Sequence, residues 1–378
     1  MRCVHSILEF GGTAFSSAGR DSAPKNLESG STANERGTDS PHSKGAAVLI
    51  LNAADVRQAL PMSLAIDAMK QAFAAFSDGK ALVPPRIHLP IAPHAGLSLI
   101  MPSFVDADAT SAQALAVKVV SLFDGNQARG LARIQAAVVV LEPDTGRPIA
   151  LLDGAMLTAI RTAAASGAAT DLLARRDCRT LALFGAGVQA RTHLIAICSV
   201  RPIERVFLHS RTPSKVAELI AAFAKHPVVK AQLIVADSPR QALADSDIVC
   251  ATTTSRVPIF EDGDLKPGVH INAVGSFTPQ AREVPPETVC RALVVVDSRH
   301  AAWEEAGDLI QPLQAGLIGR EHIHAELGEL VLGRRAGRAD DRQITFFKSV
   351  GLAVQDAVAA RAALENAAQL KLGQEVAW

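Results

Sequence analysis

The chain has 378 residues, enough for two domains of ordinary size, and 48% of them are hydrophobic, enough to bury sizeable cores. Lys+Arg (38) and Asp+Glu (38) cancel to a net charge of +0, which gives no basic face for nucleic acid or an anionic membrane. Aromatic residues are 4% with no Tyr, so base stacking has little to work with, and no apolar run approaches a membrane span.

Residues 1–46 are rich in Ser, Gly, Asn, Thr and charge and lack apolar periodicity. Such a stretch cannot bury enough surface to offset its ordering entropy, so disorder is expected there. It has no clear secretory pattern, and Glu28, Glu35 and Asp39 fit a transit peptide badly. Order is expected from Ala47, with a strand at Val48–Leu51. Asn52 or Asp55 can cap a short helix, and Pro61 opens a longer one to Ser77.

Five apolar segments then read as successive strands of one sheet: Pro84–Pro90, Leu97–Phe104, Leu115–Phe123, Ile134–Pro143 and Pro148–Gly154. Asp144-Thr145-Gly146 between the last two is a hairpin signal. Ala155–Arg175 is a long helix of small residues. From Thr180 the pattern alternates strand and helix, with strands at Thr180–Phe184, Arg205–His209, Ala231–Val235, Ile248–Ala251, His270–Val274 and Leu293–Val296. Such alternation specifies a doubly wound parallel sheet with helices on its faces. Ser349–Leu372 reads as a final Ala-rich helix. The expected organisation is α/β: residues 47–165 as a substrate-binding and dimerisation domain of α+β type, 166–325 as a Rossmann domain, and 326–378 as a segment returning to the first domain.

The segment TLALFGAGVQA (Thr180–Ala190) carries the most chemistry. An apolar strand stops at a glycine turn and a helix starts at once. Gly185 and Gly187, with small Ala190 in the third place, fit the dinucleotide-binding turn. Val188 and Gln189 would open the helix, whose N-terminus favours a pyrophosphate. The alternative is a plain structural turn. The second strand ends His209-Ser210-Arg211-Thr212, with no acid to bond a ribose 2′-hydroxyl. Arg211 can pair with a 2′-phosphate while Ser210 and Thr212 offer hydroxyls, so NADPH is favoured, with NADH as the alternative. Thr212-Pro213 also reads as an ordinary helix cap. The cysteines (Cys3, Cys178, Cys198, Cys250, Cys290) are scattered without a C-x-x-C pair or zinc spacing. Free thiols in a reducing cytoplasm and no metal are expected.

Taken in order, PPRIHLP, AVKVVSLF, LLDGAMLTAIRTAAAS, FGAGVQARTH, HSRTPSK, INAVGSFTPQAREV and ITFFKSVGLAVQD resemble the ornithine cyclodeaminase/mu-crystallin family from Ala47 to the C-terminus. The resemblance implies a Rossmann domain joined to a substrate and dimerisation domain, an active site between them, and homodimers. It places carboxylate-binding cations at Arg86, Lys118 and Arg161, with Lys118 also the catalytic candidate. Chemistry agrees, since an Arg fork and a Lys point charge suit an α-carboxylate. Lys118 sits among apolar strand residues, so it either faces inward onto a ligand or an acid or points out on the polar face. The resemblance also places Arg161 and Thr162 beside the cofactor phosphate. It puts Thr252 and Thr253 near the nicotinamide, Val274, Gly275 and Ser276 at its ribose, and Ser349, Val350 and Gly351 in a turn closing over ring and substrate, with Val350 touching substrate.

One departure bears on the reaction. Ornithine cyclodeaminases carry an aspartate where this chain has Phe277, and Phe can neither relay a proton nor bind an ammonium as a carboxylate does. The resemblance therefore points to the ketimine reductase and Δ1-pyrroline-2-carboxylate reductase branch, with Phe277 packed on the substrate ring. The rivals are ornithine cyclisation, alanine-dehydrogenase-like reductive amination, and a non-catalytic binding protein.

Overall fold

The structure, a computed structural model, describes residues 47–106 and 112–378. The disorder expected for residues 1–46 lies outside the described residues, as does Cys3.

The first sheet is built in chain order from β1 (Ala47–Leu51), β2 (Ala81–Leu82), β3 (Ile87–Ile91), β4 (Gly96–Val105), β5 (Ala114–Phe123), β6 (Ile134–Leu141) and β7 (Pro148–Asp153). β3 to β7 form an antiparallel meander, whereas β1 lies parallel to β7. The turn at Asp144–Gly146 joins β6 and β7 as expected, with Gly146 at φ 72°. Asn52 and Asp55 both cap the following helix: the Asn52 side chain accepts from the Ala54 and Asp55 backbones, and Asp55 accepts from the Asn52 N–H.

The second sheet holds β8 (Thr180–Phe184), β9 (Arg205–His209), β10 (Gln232–Val235), β11 (Ile248–Ala251), β12 (His270–Ala273), β13 (Leu293–Val296), β14 (Ile323–Glu326) and β15 (Thr345–Lys348). All neighbours are parallel, in the order β10-β9-β8-β11-β12-β15-β13-β14. The order reverses between β8 and β11, and such a switch point opens a crevice at the strands' carboxyl ends. β15 comes last in the chain but lies between β12 and β13, so the second sheet is completed well after residue 326. The chain then returns to the first sheet through the helix Ala353–Leu370 and β16 (Gln374–Ala377), which pairs with β1.

That last helix starts at Ala353, four residues later than the sequence pattern indicates. Gly351 has φ 86°, a left-handed conformation that cannot continue a helix, so Ser349–Leu352 forms a turn. The helix Gly154–Leu173 is buried on all sides and touches both sheets, which explains its lack of a polar face. Its alanines let strands and helices approach closely, and Arg161 is carried in the middle of it.

Candidate active site

β5 alternates, with Ala114, Ala116, Lys118 and Val120 turned inward and Val119 outward. Lys118 therefore takes the inward alternative; it is 2% exposed and paired across the sheet with Met101 and Val138. Its Nζ lies 2.6 Å from Asp356 Oδ2, a close ionic contact without good hydrogen-bond alignment. Arg161 Nε donates to the other oxygen of Asp356 at 3.0 Å, and its NH1 donates to Gln355 Oε1 at 3.0 Å. Burial pushes the Lys118 ammonium down to about 8; Asp356 opposes the shift, while Arg161 and Arg86 add to it.

Arg86 precedes β3. Its guanidinium donates to the Gly351 carbonyl, and its Nε lies 3.2 Å from Glu305 Oε1. Burial raises the Glu305 carboxyl above the ordinary range, with Arg86 pulling it back. Gly351 also packs on Arg161, since a β-carbon there would stand 3.0 Å from Arg161 NH1. One turn thus touches two of the three cations. A cavity of about 350 Å3 opens here, lined by Arg86, His88, Met101, Glu305, Leu352 and Ala353 among others.

In the second lobe, a crevice of about 480 Å3 lies at the switch point. Its wall brings together Gly185, Gly187, Ser210, Arg211, Thr212 and Thr252 of the expected set, and adds Lys215. Arg211 and Lys215 make no ion pair with a carboxylate among the described residues. Gly185 has φ 105° and a β-carbon would meet Thr252 Oγ1 at 2.8 Å, so only glycine suits this turn. Gly187 caps the helix Val188–Val200 with no side-chain hydrogen bond, and a β-carbon there would project into open space. An anion can reach those helix N–H groups. Gln189 Oε1 is buried without a hydrogen-bond partner.

Val188, Gln189, Arg161, Thr162, Val274, Gly275 and Ser349 lie outside the crevice wall. Several polar groups expected to contact a cofactor are already engaged. Thr252 Oγ1 donates to the Phe184 carbonyl at 2.7 Å. The Thr253 and Gly275 N–H groups donate to Glu283, each within 2.7 Å, as does the Thr253 hydroxyl. Ser349 Oγ and the N–H groups of Val350 and Gly351 all donate to Asp297 Oδ2 at 2.7–2.8 Å. The hydroxyls and N–H groups of these turns are therefore spent on internal carboxylates and carbonyls. Phe277 is 40% exposed beside fully buried Ser276.

Sequence reasoning missed the acids that organise the site. Glu283, Asp297, Asp308, Asp356 and Glu305 hold its turns and cations. Lys348 is fully buried, with Nζ 2.8 Å from Asp308 Oδ2, while Asp308 Oδ1 accepts from the Glu283 and Val284 N–H groups. Three of these residues stood inside the segments carrying the resemblance: Glu283 in AREV, and Lys348 and Asp356 in KSVGLAVQD. No group of His, Cys, Asp and Glu among the described residues could hold a metal ion.

A parallel sheet with a glycine-lined crevice at its switch point, joined to the first sheet with its buried Lys118, Arg161 and Asp356, defines a two-domain dinucleotide-binding oxidoreductase. The chain belongs to the ornithine cyclodeaminase/mu-crystallin family, whose profile matches residues 47–371. It is 39% identical over 330 residues to a Δ1-pyrroline-2-carboxylate reductase of Bacillus cereus, covering 87% of this chain and 99% of the relative. It is 35% identical over 302 residues to ketimine reductase mu-crystallin of Mus musculus, covering 79% and 90%. The solved Thermococcus litoralis Δ1-pyrroline-2-carboxylate reductase, in complex with NADH and L-proline, superposes with a TM-score of 0.82 at 41% identity. That match covers 87% of this chain and all of that one.

Proposed function

We propose that this protein reduces cyclic imino acids, Δ1-pyrroline-2-carboxylate to L-proline or Δ1-piperideine-2-carboxylate to L-pipecolate, using a reduced nicotinamide dinucleotide. The convergence of Lys118 and Arg161 on one buried carboxylate, with Arg86 anchored on the adjoining turn, carries the reading. Similarity to two reductases of this kind supports it.

The crevice fits the dinucleotide: glycines that leave room, helix N–H groups without a side-chain cap, and unpaired cations at its far end. When bound, that group supplies a hydride to the carbon of the C=N bond. The protein's part is to hold and orient. Arg86, Lys118 and Arg161 bind the substrate carboxylate and fix the ring, so positioning supplies much of the rate. Lys118 is the clamp residue able both to carry a proton at neutral pH and to release it, because the arginines do not deprotonate. Phe277 offers an apolar surface to the ring in place of a carboxylate.

Arg211, Ser210, Thr212 and Lys215 at the end of the crevice support NADPH as the preferred form. A homodimer is supported by the outer face of the first sheet, where the register sets apolar Ile87, Ile100 and Val119 side by side; Ile87 and Val119 are exposed. A reducing cytoplasmic setting is supported by the free thiols of Cys178, Cys198, Cys250 and Cys290. No helix of the described residues is long and apolar enough to cross a membrane. The decisive assay follows NADPH and NADH oxidation with both cyclic imines, alongside pyruvate plus ammonia and ornithine. Turnover confined to the last two substrates would overturn the proposal.

A further inference from the structure

We propose that His209 is the group in the crevice that accepts a hydrogen bond from the adenosine ribose 2′-hydroxyl of NADH. It is the counterpart of Arg211, which favours the 2′-phosphate of NADPH, and the two residues let one crevice take either form. The inference rests on the dinucleotide part of the reductase reading and deepens it, by naming what this chain uses where an acid is ordinarily found.

His209 is the last residue of β9 and sits beside the glycine turn. Its backbone carbonyl accepts from the Gly185 N–H at 2.9 Å, and the residue lines the crevice. In a sheet of this kind the ribose 2′-hydroxyl is met at the tip of this strand, ordinarily by an Asp or Glu. No carboxylate lines the crevice among the described residues. A hydroxyl that leaves water there still needs an acceptor.

The imidazole is set up for that task. His209 Nδ1 lies 2.9 Å from the Ala236 carbonyl oxygen. A carbonyl only accepts, so Nδ1 carries the hydrogen and Nε2 of the neutral ring presents a lone pair. The Phe184 ring packs against the imidazole edge to face, with centroids 6.0 Å apart, and holds it from a second side. The half-buried ring leaves Nε2 without a protein partner among the described residues. The other side-chain oxygens of the wall are engaged or loose. Ser210 Oγ accepts from the Thr212 N–H at 3.4 Å, and Thr252 Oγ1 donates to the Phe184 carbonyl. Thr253 Oγ1 is shared between Glu283 and the Ser255 N–H, and Ser255 Oγ closes on both backbone groups of Val257. Thr212 and Thr254 are exposed, with hydroxyls free to turn. An acceptor already fixed in tautomer and orientation loses less freedom on binding. NADPH has no hydroxyl at that position, so the contact serves NADH alone.

The test is a fluorescence titration of the full chain, without imine, against NADH, NADPH and NADH carrying a 2′-deoxy adenosine ribose. His209→Asn keeps an amide nitrogen at the reach of Nδ1 for the Ala236 carbonyl and removes Nε2. The variant should bind NADH about 3- to 10-fold more weakly, the loss of one neutral hydrogen bond, and NADPH within about twofold of the native protein. Retained NADPH binding also shows that the variant is folded. The native protein should bind the deoxy analogue about as weakly as the variant binds NADH, and the variant should not tell the two apart. Equal loss of NADH and NADPH, undiminished NADH binding by the variant, or undiminished binding of the deoxy analogue by the native protein would each overturn the inference and leave the reductase reading standing. Failure of the native protein to bind either dinucleotide would overturn both.

Discussion

Lys118 Nζ lies 2.6 Å from Asp356 Oδ2, with the two side chains 2% and 0% exposed. The pair joins a central strand of the first sheet to the last long helix of the chain. A buried ammonium beside two arginines would shed its proton more readily without a negative neighbour, so Asp356 favours the charged form of Lys118.

This arrangement predicts a basic limb in the pH profile. Lys118 titrates at about 8, below its ordinary 10.5, because burial and the arginines disfavour the cation. The clamp is therefore fully charged below that pH and loses one charge as pH rises through it. The profile of kcat/KM for the imino acid, which reports the free enzyme, should fall above about pH 8. Asp356→Asn removes the influence that raises the Lys118 value, so the limb should move to lower pH. A limb that stays in place would show that another group titrates.

Lys118→Ala should raise KM for the imino acid far more than KM for the dinucleotide. A hydrogen bond to a charged group is worth about 1.5–3 kcal/mol, or roughly 10- to 150-fold in kcat/KM. Steady-state kinetics with each substrate varied in turn reads the split directly. Equal damage to both constants would place Lys118 in the framework and not in the clamp.

Arg211→Ala should weaken NADPH by about 10- to 100-fold and NADH by only about threefold or less, since a single charge-assisted contact to the 2′-phosphate is lost. Fluorescence titration of both forms checks it. An unchanged ratio would remove Arg211 from the phosphate pocket.

Gly185→Ala should damage both cofactor forms alike. The added methyl would meet Thr252 Oγ1 at 2.8 Å and Thr252 O at 2.9 Å, on a backbone with φ 105°. Strain of this kind costs on the order of 1–3 kcal/mol. A lower melting temperature and loss of dinucleotide binding are expected; full binding with native melting would contradict the crevice.

The parallel sheet was legible because each of its early strands is a short apolar run ending at a glycine or a polar cap, and Gly185 and Gly187 stood at the right place. β15 was not. Its four residues Thr345–Lys348 end in a lysine that makes sense only beside Asp308, and their sheet neighbours lie far away in sequence. The burial of Lys118 against an acid was legible because a lysine within an apolar strand demands a partner. The partner itself was hidden: Asp356 sits in an Ala-rich helix, where a lone acid reads as a solvated surface position. Only tertiary packing turns it inward. The same holds for Asp297 and Glu283, whose work is to collect backbone N–H groups from turns that the sequence alone does not bring together.

Asp297 gathers Ser349, Val350 and Gly351 onto one oxygen, and Gly351 in turn meets Arg86 and Arg161. The floor of the cavity therefore behaves as one rigid casting. An engineer who wants to reshape the cavity should leave it untouched and recut the wall instead, at exposed His88 on β3, where a side chain can be exchanged without loosening the grip beneath.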